Sequence, residues 1–554
     1  MPTVTERLAD WTVRWTSPLI RAADQAARND ASPNGNWLGR FVILRLAGLV
    51  YLMAFLTLFW QGPALLGPRG LLPIDSYLAD VASQAGSRAA GFWQLPSLFW
   101  LGAGDGALRA AGIVGVVLSA AVLAGYANAI ALGVLCALQI SICNVGQTFY
   151  GFGWELQLVE TGFLCIFLCP LCDGRPFAPR PPPRAVIWLL RWLAMRIMWG
   201  AGLIKLRGDS CWRDLSCLDF HFETQPVPSP LTPYFHALPH WAHVVGVAFN
   251  HLVELGAPFL ILGPRRARYA GGALMVALQA ILIASGNLAF LNWLTLVPIL
   301  ACFDDGLWRR ILPAALVARA NAASAGAVPS RGQGLTVAVV AVGIAALSVA
   351  PVLNMLSGSQ IMNTSFTRFA IVNSYGAFGT VGRERAQLVF EGTMEETITP
   401  ETKWVPYAFK CQPGDPARRP CWMSPYHYRL DWLLWFAAMG SPRDYPFALH
   451  LVWDLLAADP GALALLADDP FHGVPPRHVR VDLYRYTLAP LGAKVWWQRT
   501  RLGPWLPPLA RDDLDLQSYL RAEGWLKDGW SKEGLLKEGL LKEGSLKDGS
   551  VKDQ

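Results

Sequence analysis

Arg196 and Lys205 stand in one largely apolar run, 185–206, and that placement limits the fold more than any other feature of the chain. An ionisable side chain at bilayer depth is expensive and is kept only where a partner or a function holds it. Such a run belongs inside a bundle of packed helices and not to a lone anchor. The composition agrees: 16% of the 554 residues are charged, against roughly 25% in soluble domains. The shortfall is concentrated between Arg40 and Val352. These features imply a polytopic α-helical membrane protein with a C-terminal soluble α+β or β-rich domain.

About nine segments have the length a bilayer core requires, roughly 17–23 residues. They lie near 40–60, 107–126, 128–149, 152–171, 185–206, 241–263, 268–285, 287–303 and 335–356. Those around Trp154 to Glu160 and Leu288 to Phe303 are marginal and read equally as re-entrant or interfacial. Residues 1–38 form a tail with Arg7, Arg14, Arg21 and Arg28 and no cleavable signal, so Phe41 to Trp60 is expected to act as an uncleaved anchor. The net charge of +7 does not indicate nucleic acid, because the arginines fall in short loops between apolar segments. Arg175, Arg180 and Arg184, then Arg265, Arg266 and Arg268, then Arg309, Arg310, Arg319 and Arg331 alternate with poorer loops. Under the positive-inside rule these loops and the N-terminus are cytoplasmic, and everything after Leu356 lies across the membrane.

The expected organisation is 1–38 as a cytoplasmic tail, 39–356 as the membrane domain, 357–521 as a soluble domain and 522–554 as a low-complexity tail. In the soluble part, Gln387 to Gly392, Trp404 to Lys410 and Arg477 to Thr487 alternate as strands do, while Tyr428 to Met439 and Ala448 to Ala457 read as amphipathic helices. From Trp525 a five-residue unit repeats as WLKDG, WSKEG, LLKEG. Its glycines each penalise helix by roughly 1 kcal/mol, and a period of five follows neither helix nor strand.

Cys411 and Cys421 bracket a turn-rich stretch and read as a local disulfide loop in an oxidising compartment; Cys211 and Cys217 are a second candidate pair. Asn363-Thr364-Ser365 is a glycosylation sequon on the same side, of a kind that also arises by chance. No hydrolase or metalloprotease signature occurs. The spacing of His236, His240, His243, His251 and Glu254 can be read as metal-like, but Pro239 interrupts it and no metal is assigned.

Three long, polar strings resemble the lipase maturation factor family: Asn144 to Phe163, Arg196 to Pro228 and Ile281 to Asp305. Ile371 to Gly379, Phe409 to Pro416 and Ser424 to Trp432 in the soluble part match as well, so the likeness runs from about Gly39 to Leu520. The resemblance implies a multi-pass endoplasmic-reticulum protein that helps secreted homodimeric lipases of the lipoprotein lipase group reach their assembled form. The partners are then the client lipase and the lipid membrane, with no cofactor, and the soluble domain would be lumenal. A bacterial source would place that domain in the periplasm.

The string Gly202 to Lys205, with Trp212 beyond, also resembles faintly the membrane domain of the vitamin K-dependent γ-glutamyl carboxylases. That likeness implies Lys205 as a base in a membrane enzyme, the alternative reading. The plainer reading pairs Lys205 and Arg196 with Glu155, Glu160 or Asp209 to tie helices together. Asp219, His221 and Glu223 form a polar patch near that lysine, either an ion-pair network or part of a substrate or lipid pocket. In the soluble domain Tyr426, His427, Arg429 and Asp431 mix aromatic and charged groups, as do Trp496 and Trp497 with Arg499 and Arg501. Each set reads as core packing with a surface arginine or as a client-binding edge.

Overall fold

A computed structural model describes residues 35–526. The arginines of the N-terminal tail at 7, 14, 21 and 28 and nearly all of the pentapeptide repeat lie outside the described residues. Among the described residues six helices are long and apolar enough to cross a membrane. They are α1 (Trp37–Leu66), α2 (Asp105–Ala124), α5 (Arg184–Arg207), the His240–Leu260 helix whose first part is α6 (His240–His251), α7 (Arg265–Ser285) and the Arg331–Leu356 helix that opens with α9 (Arg331–Leu347). Three more of the nine expected segments are shorter helices: α3 (Ala129–Val145), α4 (Gly153–Ile166) and α8 (Leu291–Ile299). At about 1.5 Å per residue α4, with 14 residues, and α8, with 9, are too short to cover a bilayer core alone, in keeping with the marginal reading of those two segments, and α3, with 17, stands at the lower limit.

The longest contact in the bundle, α1 against α2, is made by small residues that bring the two backbones together, as membrane helices require. A Cβ on Gly48 would lie 2.7 Å from the Leu123 amide nitrogen, and one on Gly112 would lie 2.9 Å from the Phe59 backbone. The helix ends sort to two faces. On one, the amides of Trp37 and Leu38 donate to the Asp305 carboxylate at 2.9 Å. There Arg40 donates to the Arg180 carbonyl, Arg180 to the Val328 carbonyl, and Arg265 and Arg268 to Asp304. The arginine-rich loops therefore gather at one end.

The C-terminal part sits at the other end. Its main sheet is antiparallel in the order β4 (Val405–Pro406), β3 (Arg385–Thr393), β7 (His478–Leu488), β8 (Trp497–Ala510). Two small ribbons, β1 (Thr364–Ser365) with β2 (Asn373–Ser374) and β5 (Ala408–Phe409) with β6 (Leu466–Asp468), complete the strands. The register pairs Leu388 with Leu483 and Val481 with Leu506. Helices α10 (Arg429–Ala437) and α11 (Phe447–Leu456) pack on the sheet. Strands and helices thus form where alternation and amphipathic pattern place them. The fourth strand of the sheet, β8, is not visible that way, because Pro504, Pro507 and Pro508 interrupt it. It tolerates them as an edge strand with an unpaired side.

Candidate functional site

Acidic residues on α4 meet arginines from two different parts of the chain. Glu155 is fully buried and receives Arg429 Nη2 at 2.8 Å, the Trp154 indole at 3.0 Å and Gln139 Nε2 at 2.7 Å. Arg429 also donates to the Phe149 carbonyl at 2.6 Å and stacks 3.5 Å from the Tyr150 ring centre. One turn further, Glu160 pairs with Arg196 and accepts the Asn373 amide at 3.0 Å and the Tyr375 hydroxyl at 2.7 Å. Arg196 closes the circle on the Asn373 carbonyl at 2.7 Å. Both pairs join membrane helices to C-terminal segments, so they are part of the joint between the two halves.

Lys205 takes a partner that spacing did not suggest. Its Nζ lies 2.6 Å from Glu254 Oε1, 3.2 Å from Asn250 Oδ1 and 5.0 Å from the Trp212 ring centre. Asn250 donates to the other Glu254 oxygen at 3.0 Å. A π-helical turn, Leu252–Gly256, carries Glu254 toward α5, the kind of local irregularity that often re-aims a side chain. Gly202 makes room, since a Cβ there would lie 2.7 Å from the Leu255 side chain. The expected pairing of Lys205 with Glu155, Glu160 or Asp209 is corrected: those acids are taken by Arg429, Arg196 and Arg383.

The polar patch beside it is a set of separate contacts. Asp219 binds His243 Nδ1 at 2.7 Å and His240 Nδ1 at 2.9 Å. Glu223 accepts the Leu488 amide at 2.7 Å and lies 3.8 Å from His236. His251 contacts the Trp212 carbonyl at 2.9 Å. His240 and His243 thus share Asp219 while His236 and His251 turn elsewhere, and among the described residues no three His, Cys, Asp or Glu side chains gather as a metal site would require. His221 is packed edge-on against Phe378 at 5.0 Å. Burial, helped by the charge of Lys205, pushes its imidazole down to about 4.

In the C-terminal part the expected client-binding string faces inward. His427 is sealed between Trp154 at 5.5 Å and Trp432 at 5.6 Å, and burial holds its ring well below the usual histidine range. Asp431 accepts the amides of Cys411 at 2.6 Å and Gln412 at 3.0 Å, and burial raises its carboxyl to about 6. Tyr426 accepts from Gln61 on α1 at 3.0 Å. Arg429 is not a surface arginine. His427, Arg429 and Asp431 of this string are buried against the membrane helices, and Tyr426 is half-buried. Trp497 is likewise buried, under Arg385 and Tyr486, while Trp496 is half-buried against Arg419. Arg499 and Arg501 remain on the outer face of β8, with Arg501 bound to Asp482 at 2.7 and 2.8 Å.

Cys211 with Cys217, and Cys411 with Cys421, are disulfide-bonded. Asn363 of the sequon is turned inward, with its amide oxygen toward the Gly376 amide at 3.4 Å. A cavity of about 470 Å³ opens between the halves. Met198 and Ala201 of α5 and Leu282 of α7 line it from the membrane side, and Trp432, Trp435 and Phe436 of α10 from the other. Gln157, Gln279, Asn292 and Thr295 also line it, and none of them was singled out from the sequence. The available signal was amides inside apolar helices, with Gln157 one turn before Glu160.

Models of two family regions match the chain: the lipase maturation factor transmembrane domain over residues 38–310 and the lipase maturation factor C-terminal domain over 371–507. Lipase maturation factor 1 of Bos taurus is 45% identical over 518 residues, covering 88% of this chain and 91% of that protein. The chain belongs to the lipase maturation factor family. Lipase maturation factor 1 of Homo sapiens gives 45% identity over 88% of this chain and 90% of its own length. Human lipase maturation factor 2 gives 28% over 88% and 85%. The family's first type is thus nearer to this chain than its second. No solved structure matches.

Proposed function

We propose that this protein is a membrane-embedded maturation factor whose clients are secreted homodimeric lipases of the lipoprotein lipase group. The observation that carries the reading is the 45% identity to lipase maturation factor 1 across both halves of the chain. In this reading the arginine-rich face is cytoplasmic, and the C-terminal domain works in the lumen of the endoplasmic reticulum, or in the periplasm of a bacterium. The opposed placement of the arginine loops and the sheet supports that orientation, and the two disulfides suit an oxidising compartment. The outer edge of β8, with Arg499 and Arg501, is the surface offered to a client; the string at Tyr426 to Asp431 acts behind it as the joint. Lys205 is a helix tie, since its ammonium is engaged by Glu254 and Asn250.

The test is co-expression of a dimeric lipase with this protein in cells lacking their own factor, reading secreted activity per lipase mass. Restoration by the wild type and by an Arg499→Glu, Arg501→Glu variant at matched membrane levels sinks the β8 surface but keeps the maturation role. Failure of the wild type sinks the client. Lys205→Met combined with Glu254→Met is expected to retain activity, because the pair is removed together and no charge is left alone.

A further inference from the structure

The cavity between the halves has a composition that selects its occupant. Its volume of about 470 Å³ lies within the range of small-molecule sites, roughly 300–1,000 Å³. Met198, Ala201 and Leu282 come from helices that cross the membrane, while Trp435 and Phe436 come from the domain beyond it. A guest in this space spans the boundary between hydrocarbon and headgroup levels. Its apolar end meets aliphatic and aromatic walls.

On the membrane side the uncharged polar groups are three carboxamides and a hydroxyl, while Asn363, Tyr375 and Thr380 line the cavity as well. Gln157 Nε2 donates to Thr295 Oγ1 at 3.0 Å, and Asn292 Nδ2 donates to Gln279 Oε1 at 2.8 Å. Among the described residues no donor reaches Gln157 Oε1 or Asn292 Oδ1. Gln279 Nε2 has only the Met198 sulfur, 3.8 Å away, a weak acceptor. All four polar residues are almost completely buried. Buried amides keep hydrogen-bond partners, and these retain two acceptors and a donor for a guest. Turning an amide over changes which atom is open but still leaves one.

Charge decides the class of head. Among the described residues the one acid on the wall, Glu254, is already held by Lys205 and Asn250, and no cationic side chain lines the space. A carboxylate or phosphate head would be buried without a counter-charge, which is strongly unfavourable. We propose that this cavity is a binding site for one long-chain lipid with an uncharged hydroxyl- or carbonyl-bearing head, seated on Gln157, Gln279 and Asn292. An acylglycerol and a prenyl alcohol or quinone share that chemistry.

Purified full-length protein is irradiated with a monoacylglycerol carrying a diazirine in its chain, and in parallel with the fatty acid of the same chain. The expected result is saturable labelling by the monoacylglycerol and at least about tenfold weaker labelling by the acid, a difference of roughly 1.4 kcal/mol in binding. Ala201→Phe fills the cavity and is expected to abolish saturable labelling; Leu282→Trp enters the same space from α7 and serves if the first variant does not fold. Competition by unlabelled diacylglycerol, or by an unlabelled prenyl alcohol, tells the two sources apart. Equal labelling of wild type and a folded filled variant overturns the site. Equal labelling by acid and monoacylglycerol overturns the neutral head. The readout needs no lipase, so it is independent of the client reading.

Discussion

The buried joint between the halves and the loop from 207 to 243 use similar residues under opposite conditions. At the joint, Glu155 with Arg429 and Glu160 with Arg196 are sealed from solvent, and every pair carries further hydrogen bonds. Around the loop from 207 to 243, Asp209 with Arg383 and Asp219 with His240 are partly exposed. Burial changes the meaning of an ion pair. A half-exposed pair contributes about 0–1 kcal/mol, whereas removing one partner of a buried pair strands a charge and costs about 3–5 kcal/mol. The joint is where the fold is vulnerable, and the loop is where it is forgiving.

The largest effect is expected at the joint. Arg429→Ala removes the partner of the buried Glu155 and should lower stability by about 3–5 kcal/mol, read as a fall in melting temperature of detergent-solubilised protein. The double change Arg429→Met with Glu155→Gln should recover much of that loss, because no charge is stranded. Equal damage from single and double variants would show that packing around Tyr150, and not charge, holds this contact.

Next come the buried groups whose titrations oppose one another: Asp431, His221 and His450, the last on α11 with its Nδ1 3.2 Å from the Leu71 carbonyl. Asp431 is raised to about 6 by burial, and the Cys411 and Gln412 amides, then the charges of Arg418 and Lys410, pull it only partly back. The folded state therefore binds its proton more tightly than the unfolded chain does, whose carboxyl titrates near 4. This stabilisation is present below about pH 4 and is lost as pH rises to about 6, amounting to about 3 kcal/mol. His221 and His450 work in the other direction. Burial lowers each to about 4, so their contribution is present above about pH 6.5 and is lost as pH falls toward 4. Asp431→Asn keeps an oxygen for the Cys411 and Gln412 amides and removes the opposing slope. Its melting temperature should fall more steeply than that of the wild type between pH 6.5 and 4; parallel profiles would refute the assignment.

A smaller loss is expected from Cys411→Ser. The disulfide closes a loop with a sequence separation of 10, and a loop of that order is worth about 3 kcal/mol in the chain-entropy account. The damage should stay in the C-terminal domain, with the turn at Gly414 to Pro420 exchanging amide hydrogens faster while the helices of the membrane domain keep their protection.

Much of the fold was legible because it depends on local pattern. Alternation marked β3 and β7, and apolar length marked the six long helices. The polar residues Glu155, Glu160, Arg196 and Lys205 were legible as a set because their cost inside apolar segments requires partners. Which partner each takes was not legible, since Glu155 and Arg429 are joined only when α10 docks under the bundle, and a π-helical turn decides that Glu254 reaches Lys205. The same limit made Tyr426 to Asp431 look like a surface string: its charged residues are covered by helices far away in sequence. The cavity amides Gln157, Gln279 and Asn292 were hidden because they sit singly in different helices.

The smallest effect should come from Arg383→Ala. Its guanidinium lies 2.8 Å from Asp209 Oδ1 and is substantially exposed. Asp209 does not depend on it, because the carboxylate also accepts the Cys211 amide at 3.1 Å, as the residue capping the short Ser210–Arg213 helix. Water replaces the lost arginine, so the change should cost less than about 1 kcal/mol and weaken further with added salt. Asp209→Ala differs in kind, for it also removes the cap, worth about 1 kcal/mol by itself. Measured together at low and high salt, the arginine variant should converge on the wild type while the aspartate variant keeps its deficit. If both converge, the cap carries no weight and Asp209 is only a charge; if neither does, the loop is coupled to the buried joint and the contrast between the two regions fails.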